Sequence, residues 1–143
     1  MSKSMDVVAG LDEAQKLAFM KAFVHLARAD GDFSKQEQRF ILELAKAYGL
    51  KAKDKPEIFE KHTDAQIIKT VKTIRSRRAA LELIKELCLL AHADDVLSDD
   101  EVQLIGKIGK AMKVELGKIE EISNWVIDRL IWLEREKIIF EQV

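Results

Sequence analysis

Apolar residues along the chain recur at spacings of three and four, which is the period of an amphipathic α-helix. No useful length of sequence alternates apolar and polar residues as a half-buried strand does. The 143 residues include one proline and six glycines, so signals that interrupt helices are scarce. The pattern predicts an all-α protein with seven helical segments.

Cap residues place the ends of these segments. The first runs from about Asp12 to Ala29, the second follows Ser34 and ends at Gly49, and the sixth follows Ser98. The other segments are a short helix containing Pro56, a helix capped by Thr63 or Asp64, a helix from about Arg78 to Ala93, and a long last helix.

The long last helix is apolar around much of its circumference and carries Trp125 and Trp132, seven residues apart. Packing across the rest of the protein accounts for this pattern, and so does a surface for a second copy or a protein partner. We expect the core explanation. The apolar residues of this helix then expected inward include Leu130, Trp132, Leu133 and Ile139, while Phe40 and Val102 belong to the apolar residues of the second and sixth helices.

Two stretches of sequence resemble each other at a separation of 64 positions. Without gaps, Asp30 aligns with Asp94, Ser34 with Ser98, and Glu37 with Glu101. An internal duplication of a helix–loop–helix unit explains this economically. We therefore predict a single domain over residues 1–143, with repeat one at about 12–50, repeat two at about 78–114 and a C-terminal helix at about 116–140. The two repeats are expected to pack around a pseudo-twofold axis.

Each repeat contains an acidic turn, the first corner (residues 28–37) and the second corner (residues 92–101). Ser34 with Glu37, and Ser98 with Glu101, fit the capping box, in which serine and glutamate satisfy N–H groups of the first helical turn. Such a cap stabilises a helix by roughly 1 kcal/mol. Capping accounts for these four residues without any ligand.

Capping does not account for Asp30 and Asp94, which lie where the preceding helix dipole is negative. Several carboxylates in one turn repel one another unless a cation, a basic side chain or solvent intervenes. A divalent ion such as Ca²⁺ or Mg²⁺ takes carboxylate oxygens as ligands, although the spacing is not that of an EF-hand. The candidate metal ligands are Asp30, Asp32 and Glu37 in the first corner, and Asp94, Asp95 and Glu101 in the second. The alternative is an acidic surface turn neutralised by Arg28 or nearby lysines.

Composition and charge limit which partners and which cellular location the protein is expected to have. Lysine plus arginine (24) nearly balances aspartate plus glutamate (25), so no strong global field favours nucleic acid. A basic stretch containing Lys69, Lys72 and Arg75 fits a solvated helix face better than a nucleic-acid interface. No signal peptide or membrane-spanning run is recognised, and the one cysteine, Cys88, lies on an inward stripe. We expect a cytoplasmic protein without membrane insertion.

The stretch "LARADGDFSKQE" resembles the TerB family of tellurite-resistance and related stress proteins. Its pattern is an apolar helix ending in Ala-x-Ala-Asp-Gly, followed by a short turn and a glutamate that opens the next helix. The matching residues are Ala27, Ala29, Asp30, Gly31 and Glu37, and in the second copy Ala91, Ala93, Asp94 and Glu101. The resemblance implies a compact bundle of about seven helices with an acidic, metal-binding surface, and it does not imply an enzyme.

Two functions follow as hypotheses. The first is a non-enzymatic, TerB-like stress protein whose acidic corners bind a divalent cation and recruit a protein partner. The alternative is a metal-independent protein-interaction module that uses an acidic face or the tryptophan-bearing C-terminal helix, as a monomer or homodimer. Catalysis has little support because His25, His62 and His92 are scattered and form no recognisable motif with serine or with Cys88.

Overall fold

The computed structural model describes residues 10–29, 34–50, 55–92 and 98–142. Every regular element in these ranges is a helix, which confirms the predicted all-α class. The seven helices of the described part are α1 Glu13–Ala27, α2 Lys35–Ala47, α3 Lys55–Ile58, α4 Asp64–Val71, α5 Arg77–His92, α6 Asp99–Ala111 and α7 Leu116–Ile139.

The helices begin where side chains can satisfy the N–H groups of a first turn. Asp12 caps α1 by accepting a 2.8 Å hydrogen bond from the backbone N–H of Gln15. Thr63, one of the two predicted caps, opens α4 and forms a capping box with Gln66. The first six starts therefore lie close to the positions that local chemistry predicts.

Helix α1 is the centre of the bundle. It contacts α2, α3, α4, α5 and α6, and most of its residues are buried. Phe19 packs against Phe23 on the same helix and against Tyr48 after α2, each with ring centroids 5.6 Å apart. Helix α5 packs on α6 and α7, and the buried residues form one apolar core.

Local structure recurs between the two halves. Glu13 and Arg77, which begin α1 and α5, are 64 positions apart, as are Lys35 and Asp99, which begin α2 and α6. The ends of α2 and α6 also match, because a left-handed residue follows each helix: Gly49 with φ 80° and Lys113 with φ 63°. This recurrence supports the duplication, while the pseudo-twofold packing and the domain limits stay predictions.

The expectation that the tryptophan-bearing helix packs into the core is wrong for much of α7. Of its residues, Ile119 and Val126 are buried and Leu130 is partly buried. The residues of α7 that were expected inward and are exposed are Trp132, Leu133 and Ile139. Phe40 on α2 and Val102 on α6, two apolar residues of their helical patterns, are exposed as well. Trp132 and Ile139 lie on the side of α7 away from the buried Val126. Leu133 instead lines an open groove with residues of α2 and α5.

The helices of the described ranges lack a stretch of the length and hydropathy needed to span a bilayer. Even α7, which has 24 residues, carries charged side chains along its length.

Candidate functional site

The first corner begins at the end of α1. There, Arg28 forms hydrogen bonds with the segment that follows α3. Its guanidinium donates to the backbone carbonyl of Phe59 at 2.7 Å and to that of Glu60 at 3.2 Å. These carbonyls follow a one-turn helix, so Arg28 satisfies acceptors that the helix leaves open. Arg28 therefore brings a positive charge to the first residue of the first corner, and its hydrogen bonds join two segments of the chain.

Both predicted capping boxes are present. Ser34 Oγ accepts from the Glu37 N–H at 3.0 Å, and Glu37 Oε1 accepts from the Ser34 N–H at 3.0 Å. Ser98 and Glu101 repeat these bonds at 3.1 and 3.2 Å, and the Ser98 hydroxyl also donates to Glu101 Oε1. The capping explanation of these four residues is confirmed.

The two boxes differ in burial. Glu101 is 6% exposed, whereas Glu37 is half-buried. The box hydrogen bonds of each glutamate use Oε1, so the second carboxylate oxygen, Oε2, is not required for capping. A carboxylate can accept at both oxygens, and capping thus does not by itself exclude a second role for either side chain.

Four of the six candidate metal ligands, Asp30, Asp32, Asp94 and Asp95, lie outside the described residues. Glu37 and Glu101 are described, each at the start of a different helix. Within residues 10–29, 34–50, 55–92 and 98–142, no group of three or more His, Cys, Asp or Glu side chains is arranged to hold a metal ion. The predicted metal site is therefore untested at its central residues.

An open cavity of about 710 Å³ lies where the residues bordering the two corners converge. Arg28 and Ala29, which precede the first corner's aspartates, line one side. Asp100, just after the second corner's cap, lines another with its helical neighbours on α6. The remaining lining residues are His25, Lys61, His62, Asp64, Gln103, Leu104 and Lys107. The two corners thus border a shared polar cavity.

Asp64 is the principal carboxylate of the cavity wall. Its Oδ1 lies 2.6 Å from His25 Nε2, and its Oδ2 lies 3.6 Å from Lys107 Nζ. The hydrogen bond from His25, followed by the charges of His25 and Lys107, lowers the pKa of Asp64 below its usual value. Asp64 is therefore ionised at neutral pH and joins α1, α4 and α6.

His62 lies in the same wall. Its Nε2 is shielded from solvent and has no hydrogen-bond partner among the described residues. Burial, and then the nearby charge of Lys21, lowers the pKa of His62, so its imidazole is neutral at pH 7. Lys21 itself is held by Glu57 at 2.7 Å. The cavity therefore offers one neutral imidazole between cationic and anionic side chains.

Sequence reasoning did not find this cavity. His25 and Asp64 are 39 positions apart, and Lys107 is farther still, so no local spacing links them. Asp64 appeared only as a possible helix cap, and His25 only as an isolated histidine. The sequence does place His25 near the end of one helix and Asp64 at the start of another. These two positions become neighbours only when α1 packs against α4.

Cys88 is a core residue, as expected. It is 2% exposed on α5. Burial raises the pKa of its thiol to about 11, although a hydrogen bond with Ser123 opposes the shift. The thiol is therefore protonated at neutral pH and poorly suited to nucleophilic or redox chemistry.

The family model described as "Tellurite resistance protein TerB" matches residues 2–58. The match spans α1, α2, α3 and the first corner, and it confirms the predicted resemblance to the TerB family over this part of the chain. The matched residues end before the second corner, whose likeness to the first rests on the recurring local structure. Comparisons with curated proteins and with solved structures gave no significant match.

Proposed function

We propose that this chain is a non-enzymatic, cytoplasmic, TerB-like protein related to stress or tellurite resistance. Its acidic corners bind a divalent cation, and the cation-loaded surface recruits a protein partner. The cation, Ca²⁺ or Mg²⁺, takes oxygens from Asp30, Asp32 and Glu37 in one corner and from Asp94, Asp95 and Glu101 in the other.

The observation that carries the proposal is that described residues of both corners line one cavity, while the candidate ligand Glu37 lines a second cavity beside α5 and α7. Ala29 and Asp100 line the first of these cavities, and each lies one or a few residues from a corner's candidate ligands. A change of charge in either corner would therefore alter the field at one shared surface. The TerB family match over the first corner supports the same reading.

Both capping boxes fit this role. They fix the start of α2 and α6 through Glu37 Oε1 and Glu101 Oε1, so each glutamate backbone is already positioned before a cation arrives. A preorganised ligand lowers the entropy lost on binding. The cation would then add aspartate oxygens of each corner to a glutamate that is already in place.

The test is calorimetric titration of chelator-stripped protein with Ca²⁺, then Mg²⁺, Mn²⁺ and Zn²⁺. Asp30→Asn and Asp94→Asn should each weaken saturable binding, because each removes one charged ligand. Glu43→Gln is the matched control, since it removes a carboxylate from an exposed position of α2 away from the corners. Absence of binding by the intact protein would overturn the metal proposal.

The alternative function is a protein-interaction module that needs no metal. The exposure of Trp125 and Trp132 on α7, 53% and 66%, favours it, because large apolar side chains in solvent mark interaction surfaces. A pull-down with and without chelator separates the two functions. A metal-gated module loses its partner in chelator, whereas a module that docks through α7 keeps it.

A further inference from the structure

One face of α7 carries large apolar side chains in solvent. Trp125, Ile131, Trp132, Ile138 and Ile139 are each between 53% and 75% exposed. Trp125, Trp132 and Ile139 are seven residues apart, as are Ile131 and Ile138, so all five lie along one side of the helix, opposite the side on which Val126 is buried. We call these five residues, with Asp128 and Arg135, the α7 stripe.

The α7 stripe also contains two opposite charges. Asp128 and Arg135 lie seven residues apart between the apolar positions, and both are exposed. Neither forms a hydrogen bond or ion pair with another residue of the described chain, in contrast to Glu134 and Lys137, which pair with each other at 3.1 Å. The two stripe charges are therefore available to a partner.

The stripe is complementary to itself when two copies run antiparallel. A twofold axis between Ile131 and Trp132 places Asp128 opposite Arg135 of the second copy, and the reverse. It also places Trp125 opposite Ile138 of the second copy. At the centre, Ile131 of each copy lies opposite Trp132 of the other. A parallel, in-register pair would instead oppose Asp128 to Asp128 and Arg135 to Arg135, which like-charge repulsion disfavours.

We propose that two copies of this protein associate through the α7 stripe as an antiparallel helix pair. A homodimer interface of this kind uses the same patch on both copies, as twofold symmetry requires. From Trp125 to Ile139 the stripe is about 21 Å long. One helix face of this length buries less than the roughly 800 Å² per partner of a standard interface, so we expect dissociation in about the micromolar range.

The first measurement is the molar mass of the full chain by sedimentation equilibrium between about 0.1 µM and about 100 µM, a range that includes concentrations on both sides of that affinity. We expect a reversible rise from monomer to dimer. Because the only two tryptophans of the chain are Trp125 and Trp132, their fluorescence should shift to the blue over the same concentrations. A monomer at every concentration would overturn the proposal and leave the stripe to a partner of a different kind.

Charge exchange tests the antiparallel register. Asp128→Arg and Arg135→Asp should each weaken dimerisation by about tenfold or more, because each creates like-charge contacts on both sides of the axis. The double variant Asp128→Arg with Arg135→Asp should restore the affinity of the original chain. A double variant as weak as the single ones, or single variants without effect, would overturn the register.

Truncation tests the apolar contribution. Trp132→Ala should weaken dimerisation about 100-fold, since it removes a central aromatic residue from both copies. Val102→Ala is the matched control, because Val102 is a 49% exposed apolar residue on α6, away from the stripe. All these positions are exposed, so circular dichroism should show an intact fold. A dimer that survives Trp132→Ala would exclude the stripe as its interface.

Discussion

His25 Nε2 and Asp64 Oδ1 lie 2.6 Å apart, and this contact joins the last turn of α1 to the first turn of α4. A carboxylate at the start of a helix is stabilised by the helix dipole. Lys107 of α6 approaches the other oxygen of Asp64 at 3.6 Å. Asp64 therefore links three helices at the wall of the cavity that both acidic corners border.

Asp64→Asn should lower the free energy of unfolding at pH 7 by up to about 1 kcal/mol, because an exposed carboxylate gains little from its partners. The pKa of Asp64 is lowered in the folded protein from an ordinary value of 3.8. Its stabilising contribution is therefore complete above about that pH and is lost as the pH falls through the lower folded value. Urea unfolding at pH 7, 5 and 3 should show the difference between the two proteins shrinking in acid.

Glu43→Gln is the control, because it removes an exposed carboxylate of α2 that makes no contact with His25 or Lys107. Its unfolding free energy should follow that of the original chain at every pH. An Asp64→Asn difference that is as large at pH 3 as at pH 7 would show that the charge of Asp64 is not what stabilises the fold.

Ser34→Ala and Ser98→Ala should each lower the free energy of unfolding by about 1 kcal/mol, because each leaves a first-turn N–H without its cap. Glu37→Gln should change stability far less, since a glutamine amide oxygen can replace Glu37 Oε1 in the box. Urea unfolding measures all three variants.

The glutamine variant also separates capping from cation binding. If Glu37 supplies an oxygen to a cation, Glu37→Gln should weaken calorimetric binding while leaving the unfolding free energy almost unchanged. A variant that loses as much stability as Ser34→Ala would contradict the capping argument, because the charge and not the hydrogen bond would then be essential.

Helix starts were predictable because capping is local chemistry. Ser34, Thr63 and Ser98 each satisfy N–H groups within three residues, so the sequence around each suffices to place a helix. The cavity was not predictable in this way. The contact between His25 and Asp64 depends on how α1 packs against α4, and that packing is set by the whole core.

The exposure of α7 shows a second limit. Val126 is buried and Trp132 is exposed on the same helix, and a helix that is apolar on several sides does not indicate which side another helix covers. Trp132 was expected inward because packing across the rest of the protein would explain a helix that is apolar around much of its circumference. It is 66% exposed because α2 and α5 flank the side of α7 that carries Leu130 and Leu133, and Trp132 lies on another side.

Cys88 should react with iodoacetamide about 100-fold more slowly in the folded protein than in urea. Burial raises the pKa of its thiol from 9.0 to about 11, so at pH 8 the reactive thiolate is scarce as well as shielded. Mass spectrometry gives the rate without ambiguity, because the chain has one cysteine. Rapid labelling of the folded protein, with a rise centred near pH 9, would show that α5 opens readily or that the thiol is accessible.

Gly106 and Gly109 of α6 form a matched pair. A Cβ at Gly106 meets nothing within 4 Å, so Gly106→Ala should raise the free energy of unfolding by about 0.5–1 kcal/mol through helix propensity. A Cβ at Gly109 would clash with Ile119 Cδ1 of α7 and lie 3.3 Å from Ile84 Cδ1 of α5. Because Ile119 must rotate within a packed core, Gly109→Ala should cost about 1 kcal/mol after the propensity gain. The urea midpoint of Gly106→Ala should lie above that of the unmodified chain, and the midpoint of Gly109→Ala should lie below it. If both variants were stabilised, Ile119 would be able to move aside at little cost, and α6 would not need glycine at position 109.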